Sequence, residues 1–339
     1  TRAVITNRSL FTPTSAFACV ATLARDGVVI DTAALHINVP PMKSQSCHLP
    51  FKKQTEPGEY AVTLSFRLKE DTPWASSGHE VAFAQGIYKV KGSAATPVCR
   101  PLRVIRGDFN TGVEGNGFRV LFSDLSGGLV SYVYGGKEML KSIPRPNFWR
   151  APVDNDCGSN MPQRYAQWKI ASMYAATNAT PELARLNASV KGTPQLARKN
   201  AHPVPRENGD GSVSIDYTYA LATVPAAQCS LRYTVYPCGT VRVALSYDPV
   251  SGLGDMPEFG VMMKLNADYH RMRYYGLGPE ENYSDRCRGA RLGIFETTAQ
   301  DNLARYLVPQ ECGARTGVRW AEVMDDRGRG LRFQADGDM

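Results

Sequence analysis

Val62, Leu64, Phe66 and Leu68 alternate with Thr63, Ser65 and Arg67. Successive side chains of an extended chain point to opposite faces, so a period of two predicts a strand with one buried face. Val213, Ile215, Tyr217, Tyr219 and Leu221 repeat the pattern, as do Leu231, Tyr233 and Val235, and then Val241, Val243, Leu245 and Tyr247. Turn chemistry separates such runs. Asp26-Gly27 divides residues 18–23 from 28–35, Ser126-Gly127-Gly128 divides 118–122 from 129–134, and Pro237-Cys238-Gly239 divides the last two runs above. Each reads as a hairpin. Helix is predicted only at residues 163–172 and 298–306. Short strands punctuated by 30 Gly and 22 Pro define an all-β class, a sandwich or barrel.

The pattern breaks near residues 92–104, where GSAATPVCRP is small, Pro-containing and aperiodic, as a linker is. The expected organisation is a first domain over 1–92, a linker over 93–103 and a larger β-domain over 104–339. About 90 residues carrying roughly seven short strands match an immunoglobulin-like sandwich in size. Near the end, a strand over 318–323, a turn over 325–328 and a strand begun at 331–333 form a hairpin just before Met339. A lone hairpin is marginal in water, so the sheet is expected to continue beyond the last residue given.

Composition narrows the class without naming a function. Hydrophobic residues make up 43% and charged residues 21% of 339, ordinary for a globular chain that can bury its own core. No apolar run reaches the ~20 residues of a membrane helix, and the first residues show no leader-like apolar stretch. The net charge is +7, but Arg and Lys are scattered rather than striped, so neither nucleic acid nor membrane is expected as a partner. The eight cysteines have no C-x-x-C spacing, which argues against a zinc site of that kind and for mostly free, small, buried residues.

Candidate chemistry centres on RPNFWRAPVDNDCG, residues 145–158. Aromatics beside carboxylates and amides occur in sugar sites, in oxygen-ligated metal loops and in ordinary turns. Asp154, Asn155 and Asp156 could hold Ca²⁺, although the EF-hand pattern fails, or could cap backbone N–H groups. Glu280 and Glu281 suggest a glycosidase pair. Such pairs face one sugar with carboxyl groups about 5–9.5 Å apart, whereas neighbours on a strand diverge. One of them is expected to pair with Arg286, and Glu311 with Arg315 or Arg319. No nucleophile elbow or P-loop occurs, and the five His show no metal-ligand spacing.

Four blocks carry a resemblance. FRLKEDTPWASSGHEVAFAQ (66–85), NFWRAPVDNDCG (147–158), YYGLGPEENYSDR (274–286) and VPQECGARTGVRW (308–320) occur in this order. Together they resemble the C-terminal third of the large β-galactosidases of glycoside hydrolase family 2. The resemblance implies an immunoglobulin-like β-sandwich followed by a galactose-mutarotase-like β-supersandwich, the "small chain" domain, truncated at its C-terminus. It also implies that the catalytic glutamates lie in a preceding (β/α)₈ barrel and that a Gly-Gly-Asp-Asp-Ser-Trp motif should follow; neither is present here. The expected function is therefore that of a non-catalytic part of a retaining β-galactosidase that cleaves terminal β-D-galactosides such as lactose. It would buttress the barrel, the rim of the substrate pocket and the oligomer, as in a bacterial cytoplasmic or periplasmic enzyme.

No catalytic residue is assigned within the chain. The rim or interface candidates are Trp149, Arg150, Asp154, Asn155, Asp156, Glu280, Arg286 and Glu311. The family's use of Mg²⁺ and Na⁺ implies no cofactor in this chain beyond candidate cation contacts at Asp154, Asp156 and the backbone of Val308 and Pro309. The expected partners are the missing barrel, galactosides bound at the parent's active site, and further copies of the parent. The alternative is an independent carbohydrate-binding module, with Trp149, Trp168, Trp320 and Tyr275 as stacking faces and Arg150, Asp154, Asn155 and Glu280 as hydroxyl partners. Mutarotase chemistry would need an acid/base His, for which only His202 and His270 are at hand in the region resembling that fold.

Overall fold

The computed structural model describes residues 2–92, 99–177 and 203–335. It is all-β, with strands arranged as packed antiparallel sheets. In chain order the strands are β1 (Arg2–Thr6), β2 (Phe17–Arg25), β3 (Val28–Leu35), β4 (Ser44–His48), β5 (Gly58–Leu68), β6 (Glu80–Val90), β7 (Arg103–Arg106), β8 (Asn110–Gly115), β9 (Phe118–Ser123), β10 (Gly128–Tyr134), β11 (Lys137–Glu138) and β12 (Ser142–Asn147). Three short helices follow: α1 (Asp154–Gly158), α2 (Met161–Arg164) and α3 (Ala166–Met173). The remaining strands are β13 (Ala176–Thr177), β14 (Arg206–Glu207), β15 (Val213–Leu221), β16 (Ala227–Val235), β17 (Val241–Tyr247), β18 (Gly260–Lys264), β19 (Arg271–Gly278), β20 (Arg291–Thr298), β21 (Trp320–Met324) and β22 (Gly330–Gln334).

The first unit pairs a four-stranded sheet, β3-β2-β5-β6, with the small β1-β4 sheet. Its core collects the inward positions that the period-two pattern selects: Ala21 and Leu23 from β2, Tyr60, Val62 and Leu64 from β5, and Ile5 from β1. The β2–β3 hairpin turns through Asp26 and Gly27, both at positive φ. A Cβ on Gly27 would lie 2.6 Å from Ile294 and 2.9 Å from Tyr275, so glycine is needed here both for its backbone and for the close approach of β19 and β20.

In the second unit, β15 and β16 pair over their whole lengths, Val213 with Val235 through Leu221 with Ala227. The inward residues Ile215, Tyr217, Leu231 and Tyr233 are buried against Phe118, Val120 and Phe122 of β9. Burying these aromatic and aliphatic side chains supplies the main stabilisation, at ~25 cal/mol per Å² of apolar surface. Phe148, just after β12, extends this core toward Trp168 on α3, with ring centroids 5.7 Å apart. A further sheet, β20-β19-β21-β22, lies beyond it.

The predicted helix at 163–172 is present as α2 and α3. The one at 298–306 is absent: β20 runs to Thr298, and the chain then turns. Thr298 Oγ1 accepts from the Asp301 amide at 3.1 Å, and Asn302 Nδ2 donates to the Gly313 carbonyl at 2.9 Å. Local side-chain bonds of this kind compete with the helical ladder. The expected linker falls partly outside the described residues, and β7 already begins at Arg103. All eight cysteines are free, but only Cys19 and Cys229 are buried; Cys157, Cys238 and Cys312 are exposed, because they sit in a short helix and in turns rather than on inward strand positions.

The two units meet through polar clamps between β5–β6 and the β19–β20–β21 sheet. Glu59 accepts from Arg319 Nε and Nη2, both at 2.9 Å. Glu80 accepts twice from Arg291 Nη1, at 2.9 and 3.0 Å. The Gln85 amide donates to the Leu292 carbonyl and accepts from its N–H at 2.9 and 2.8 Å, pairing with the backbone as a strand would.

Burial alone would raise the Glu59 pKa, but the hydrogen bonds from Arg319 and the charges of Arg319 and Lys89 outweigh it and hold the carboxyl below its ordinary value. A group with a depressed folded pKa contributes stability that is complete above its unfolded pKa and is lost as pH falls through the folded one. E59Q is therefore expected to destabilise the chain by about 2 kcal/mol at neutral pH, below the ~3–5 kcal/mol for breaking a fully buried pair because Arg319 keeps partial solvent access. Urea denaturation between pH 3 and pH 7 checks this: the difference from wild type should shrink on acidification.

Candidate functional site

Two of the recognised blocks, 147–158 and 308–320, converge around Arg150. The β12 strand delivers Phe148 into the core, where it is fully buried, so Trp149 and Arg150 emerge at the surface edge. Trp149 is half-buried and packs on that core. Arg150 reaches forward to α1 and forks onto Asp156, with Nη1–Oδ2 at 2.6 Å and Nη2–Oδ1 at 3.0 Å. The same guanidinium lies 3.3 Å from Glu311. Asp156 Oδ2 also accepts from the Val153 amide at 2.9 Å, closing the first turn of α1. A planar guanidinium matches a carboxylate in this two-point geometry, and lysine cannot reproduce it. The fork raises the Arg150 pKa and, with the Val153 amide, lowers that of Asp156, so both groups stay ionised.

The 308–313 segment is held from both sides. The Asp154 amide donates to the Pro309 carbonyl at 2.9 Å. The Asp154 and Asn155 side chains remain exposed at the start of α1. Glu311 thus pairs with Arg150, not with Arg315 or Arg319 as expected. Arg319 is held by Glu59 of the first unit, and Arg315 Nε donates to Tyr274 Oη at 2.9 Å. Sequence spacing favoured the near partners; the fold supplies distant ones.

The third block, 274–286, is organised by Asn282, which is 1% exposed. Its Nδ2 donates to the Leu277 and Glu280 carbonyls at 2.9 and 3.0 Å. Its Oδ1 accepts from the Thr316 amide and hydroxyl at 3.0 and 2.5 Å. No motif flagged this residue. The signal that could have found it is a polar amide between a Gly-Pro turn and an aromatic, where a buried loop needs its backbone groups satisfied. Beside it, Glu281 accepts from Arg286 at 2.7 Å, from Tyr306 Oη and from the Gly313 amide at 2.9 Å. Arg286 is the expected partner of this carboxylate pair. Glu280 projects into solvent, and the two glutamates lie in a loop after β19 rather than on a strand.

These contacts determine what the candidates can do. Every Glu281 oxygen is engaged, and Asp156 and Glu311 share one guanidinium, so none of the three is poised as a general acid or nucleophile. Of the candidate cation contacts, Asp156 is paired with Arg150, the Pro309 carbonyl accepts one hydrogen bond, and the Asp154 side chain is exposed. Among the described residues no three His, Cys, Asp or Glu side chains converge as metal ligands. Two of the proposed stacking faces are unavailable: Trp168 is buried with Nε1 donating to the Gly254 carbonyl, and Tyr275 is buried at the interface between the units. Trp320 is covered by Arg332, 4.3 Å from its ring centroid. His270 is half-exposed, 3.3 Å from Asp326, and His202 lies outside the described residues.

The architecture is that of a two-unit β-sandwich protein whose polar clusters brace loops. Residues 114–337 match the family profile described as the β-galactosidase small chain, and residues 3–88 match β-galactosidase, domain 4. The chain belongs to the β-galactosidase small-chain family. It is 37% identical over 336 residues to a β-galactosidase of Halalkalibacterium halodurans, covering 97% of this chain and 31% of that protein. It is 33% identical over 331 residues to a β-galactosidase of Streptococcus thermophilus, covering 98% of this chain and 30% of the relative. A β-galactosidase small subunit of Latilactobacillus sakei is 33% identical over 229 residues, 66% of this chain and 68% of the subunit. The chain thus spans under a third of the length of the large relatives.

Asn282→Ala removes four hydrogen bonds at a buried position, taking their partner from two carbonyls, an amide and a hydroxyl. The expected loss is about 3 kcal/mol, read as a lower midpoint in chemical denaturation with an unchanged slope.

Proposed function

We propose that this chain is the supporting part of a β-galactosidase, bracing the catalytic part and shaping one edge of its galactoside site without supplying a catalytic group. The observation that carries this reading is the Arg150 junction: one guanidinium ties α1 to the 308–313 loop. Leu303, Leu307 and Val308 are exposed along the chain leading into that loop, and Phe259 is exposed while stacking at 6.3 Å on Phe148, two residues before Arg150. These exposed apolar side chains are the contact face this reading assigns.

The partner proposed for this face is the remainder of the parent enzyme, the portion of the large relatives that this chain does not span. Asp154 and Asn155, exposed beside the Arg150 fork, are the side chains placed to meet it. Holding such a loop rigid contributes to turnover through positioning: misplacement by about 1 Å can cost on the order of 10²-fold in rate. Hydrolysis would proceed in the partner domain, with any Mg²⁺ or Na⁺ it requires held there, and homo-oligomer contacts belong to the whole enzyme.

The isolated chain is expected to show no turnover of o-nitrophenyl-β-D-galactoside. In the whole enzyme, Arg150→Ala should lower kcat/KM at least tenfold, and Arg150→Lys should recover little because it loses the fork. Turnover by the isolated chain, or full activity of the Arg150→Ala enzyme with unaltered stability, would refute the proposal.

A further inference from the structure

The first unit turns two thiols toward its interior, one from each of its sheets. Cys19 lies on β2 of the four-stranded sheet and Cys47 on β4 of the β1-β4 sheet. Register fixes where both side chains point. The buried positions of β2 are Cys19, Ala21 and Leu23, one face of the strand. The cross-strand neighbours of Cys19, Leu35 on β3 and Phe66 on β5, pack on the core of this unit. On the other sheet Cys47 stands opposite Ala3 of β1, and both pack on that same core beside Ile5. Residues directly opposed in a ladder share a face, so the two cysteines look inward from opposite walls of the sandwich.

The positions around them are small. Ala3 is the ladder partner of Cys47, Ala21 follows Cys19 on the same face, and Ala33 stands opposite Ala21. Packed sheets lie about 10 Å apart on average, and a disulfide needs Cα atoms within about 7 Å of each other. Alanines at the contact let the walls approach more closely than larger side chains would. The two groups also sense each other: burial first, and then the charge of Cys47, push the Cys19 thiol up to about 11. They differ in access, since Cys19 is buried and Cys47 is half-buried.

We propose that Cys19 and Cys47 are a redox-responsive pair that closes into an inter-sheet disulfide when the chain meets a small-molecule disulfide. Cys47 reacts first because its sulfur is the accessible one. Its thiolate attacks one sulfur of the reagent. An S–S bond forms to Cys47, the S–S bond of the reagent breaks, and one reagent thiolate leaves. Cys19 then gives up its proton and attacks Cys47 Sγ, which forms the internal bond and expels the second reagent thiolate. In total two protein thiols lose two electrons, and the reagent disulfide gains them as two thiols. The bridge would close a loop that contains β3 and tie β2 to β4. Such a closure restricts the unfolded chain more than the folded one and so stabilises the fold. It would also stiffen the sheet whose β5 strand carries Glu59 into its clamp with Arg319. The inference rests on the first unit alone and is independent of the Arg150 junction, so either can fail without the other.

The test incubates the folded chain with glutathione disulfide at pH 8, alkylates the remaining thiols and maps the peptides by mass spectrometry. Peptides joined through Cys19 and Cys47 should appear, and dithiothreitol should remove the link. In Cys19→Ala the reaction should stop after its first step, with glutathione retained on Cys47. In Cys47→Ala the Cys19 thiol should be recovered unmodified. The oxidised chain should unfold at a higher urea concentration than the reduced chain, a shift lost in both variants. The same unfolding curves verify that each variant is folded, and the peptide map of the unaltered chain decides even where a variant is not. Recovery of both thiols free, glutathione retained on Cys47 of the unaltered chain without the internal bond, or a link from Cys19 to a different cysteine overturns the proposal.

Discussion

The guanidinium–carboxylate fork is the constraint on which the arrangement of this molecule depends. Sheets of short strands bury their inward faces readily, but the hydrophobic effect is non-directional and does not fix how one sheet sits against the next. Direction comes from Arg319 on Glu59, Arg291 on Glu80, Arg150 on Asp156 and Glu311, and Arg286 on Glu281. The Arg286–Glu281 pair closes a single loop, whereas the others join separate elements of the chain, and the first two join the two units across more than 200 residues of sequence. Four of the scattered arginines of a chain with net charge +7 serve as these clamps.

Such pairs specify geometry more than they stabilise. Taking charges from water costs several kcal/mol per ion, and the attraction between partners offsets this only when the remaining donors and acceptors are also satisfied. The structure meets that condition at Glu59, which has Arg319 in two-point contact, and at Glu281, where three donors converge. In both places the arginine remains partly solvated while the carboxylate is buried. The desolvation cost falls mainly on the acid, and the acid is the group with the most hydrogen bonds.

Strand positions were legible because burial writes a period of two into the sequence. Val213 to Leu221 reads as a strand from its alternation alone and is one, and the glycine turns at Asp26-Gly27 and Gly127-Gly128 are equally plain. Partner choice was not legible. Glu311 lies four residues from Arg315 and eight from Arg319, yet it pairs with Arg150, because what brings charges together is the stacking of sheets, which local sequence does not encode. The failed helix at 298–306 has a similar origin: its apolar spacing is helical, but Thr298 and Asn302 spend their polar groups on turn contacts. Asn282, the most fully bonded polar side chain near the recognised blocks, carried no motif because its role is defined by the carbonyls around it.

The chemistry of the recognised blocks follows from this division between burial and direction. A carboxylate that must transfer a proton needs an unengaged oxygen and a pKa near the working pH. A carboxylate that must hold a loop needs every oxygen engaged and a pKa far below it. Asp156, with both oxygens on Arg150 and its carboxyl depressed by them, meets the second requirement and fails the first. Glu281 likewise has its oxygens engaged, by Arg286, Tyr306 and the Gly313 amide. The glutamate-rich, aromatic-rich signature that resembles a sugar site in sequence is therefore, in three dimensions, the bracing of loops. The aromatic members confirm it from the other side: Phe148 and Trp168 spend their faces on each other and on Tyr247 inside the core, leaving none to stack on a pyranose ring.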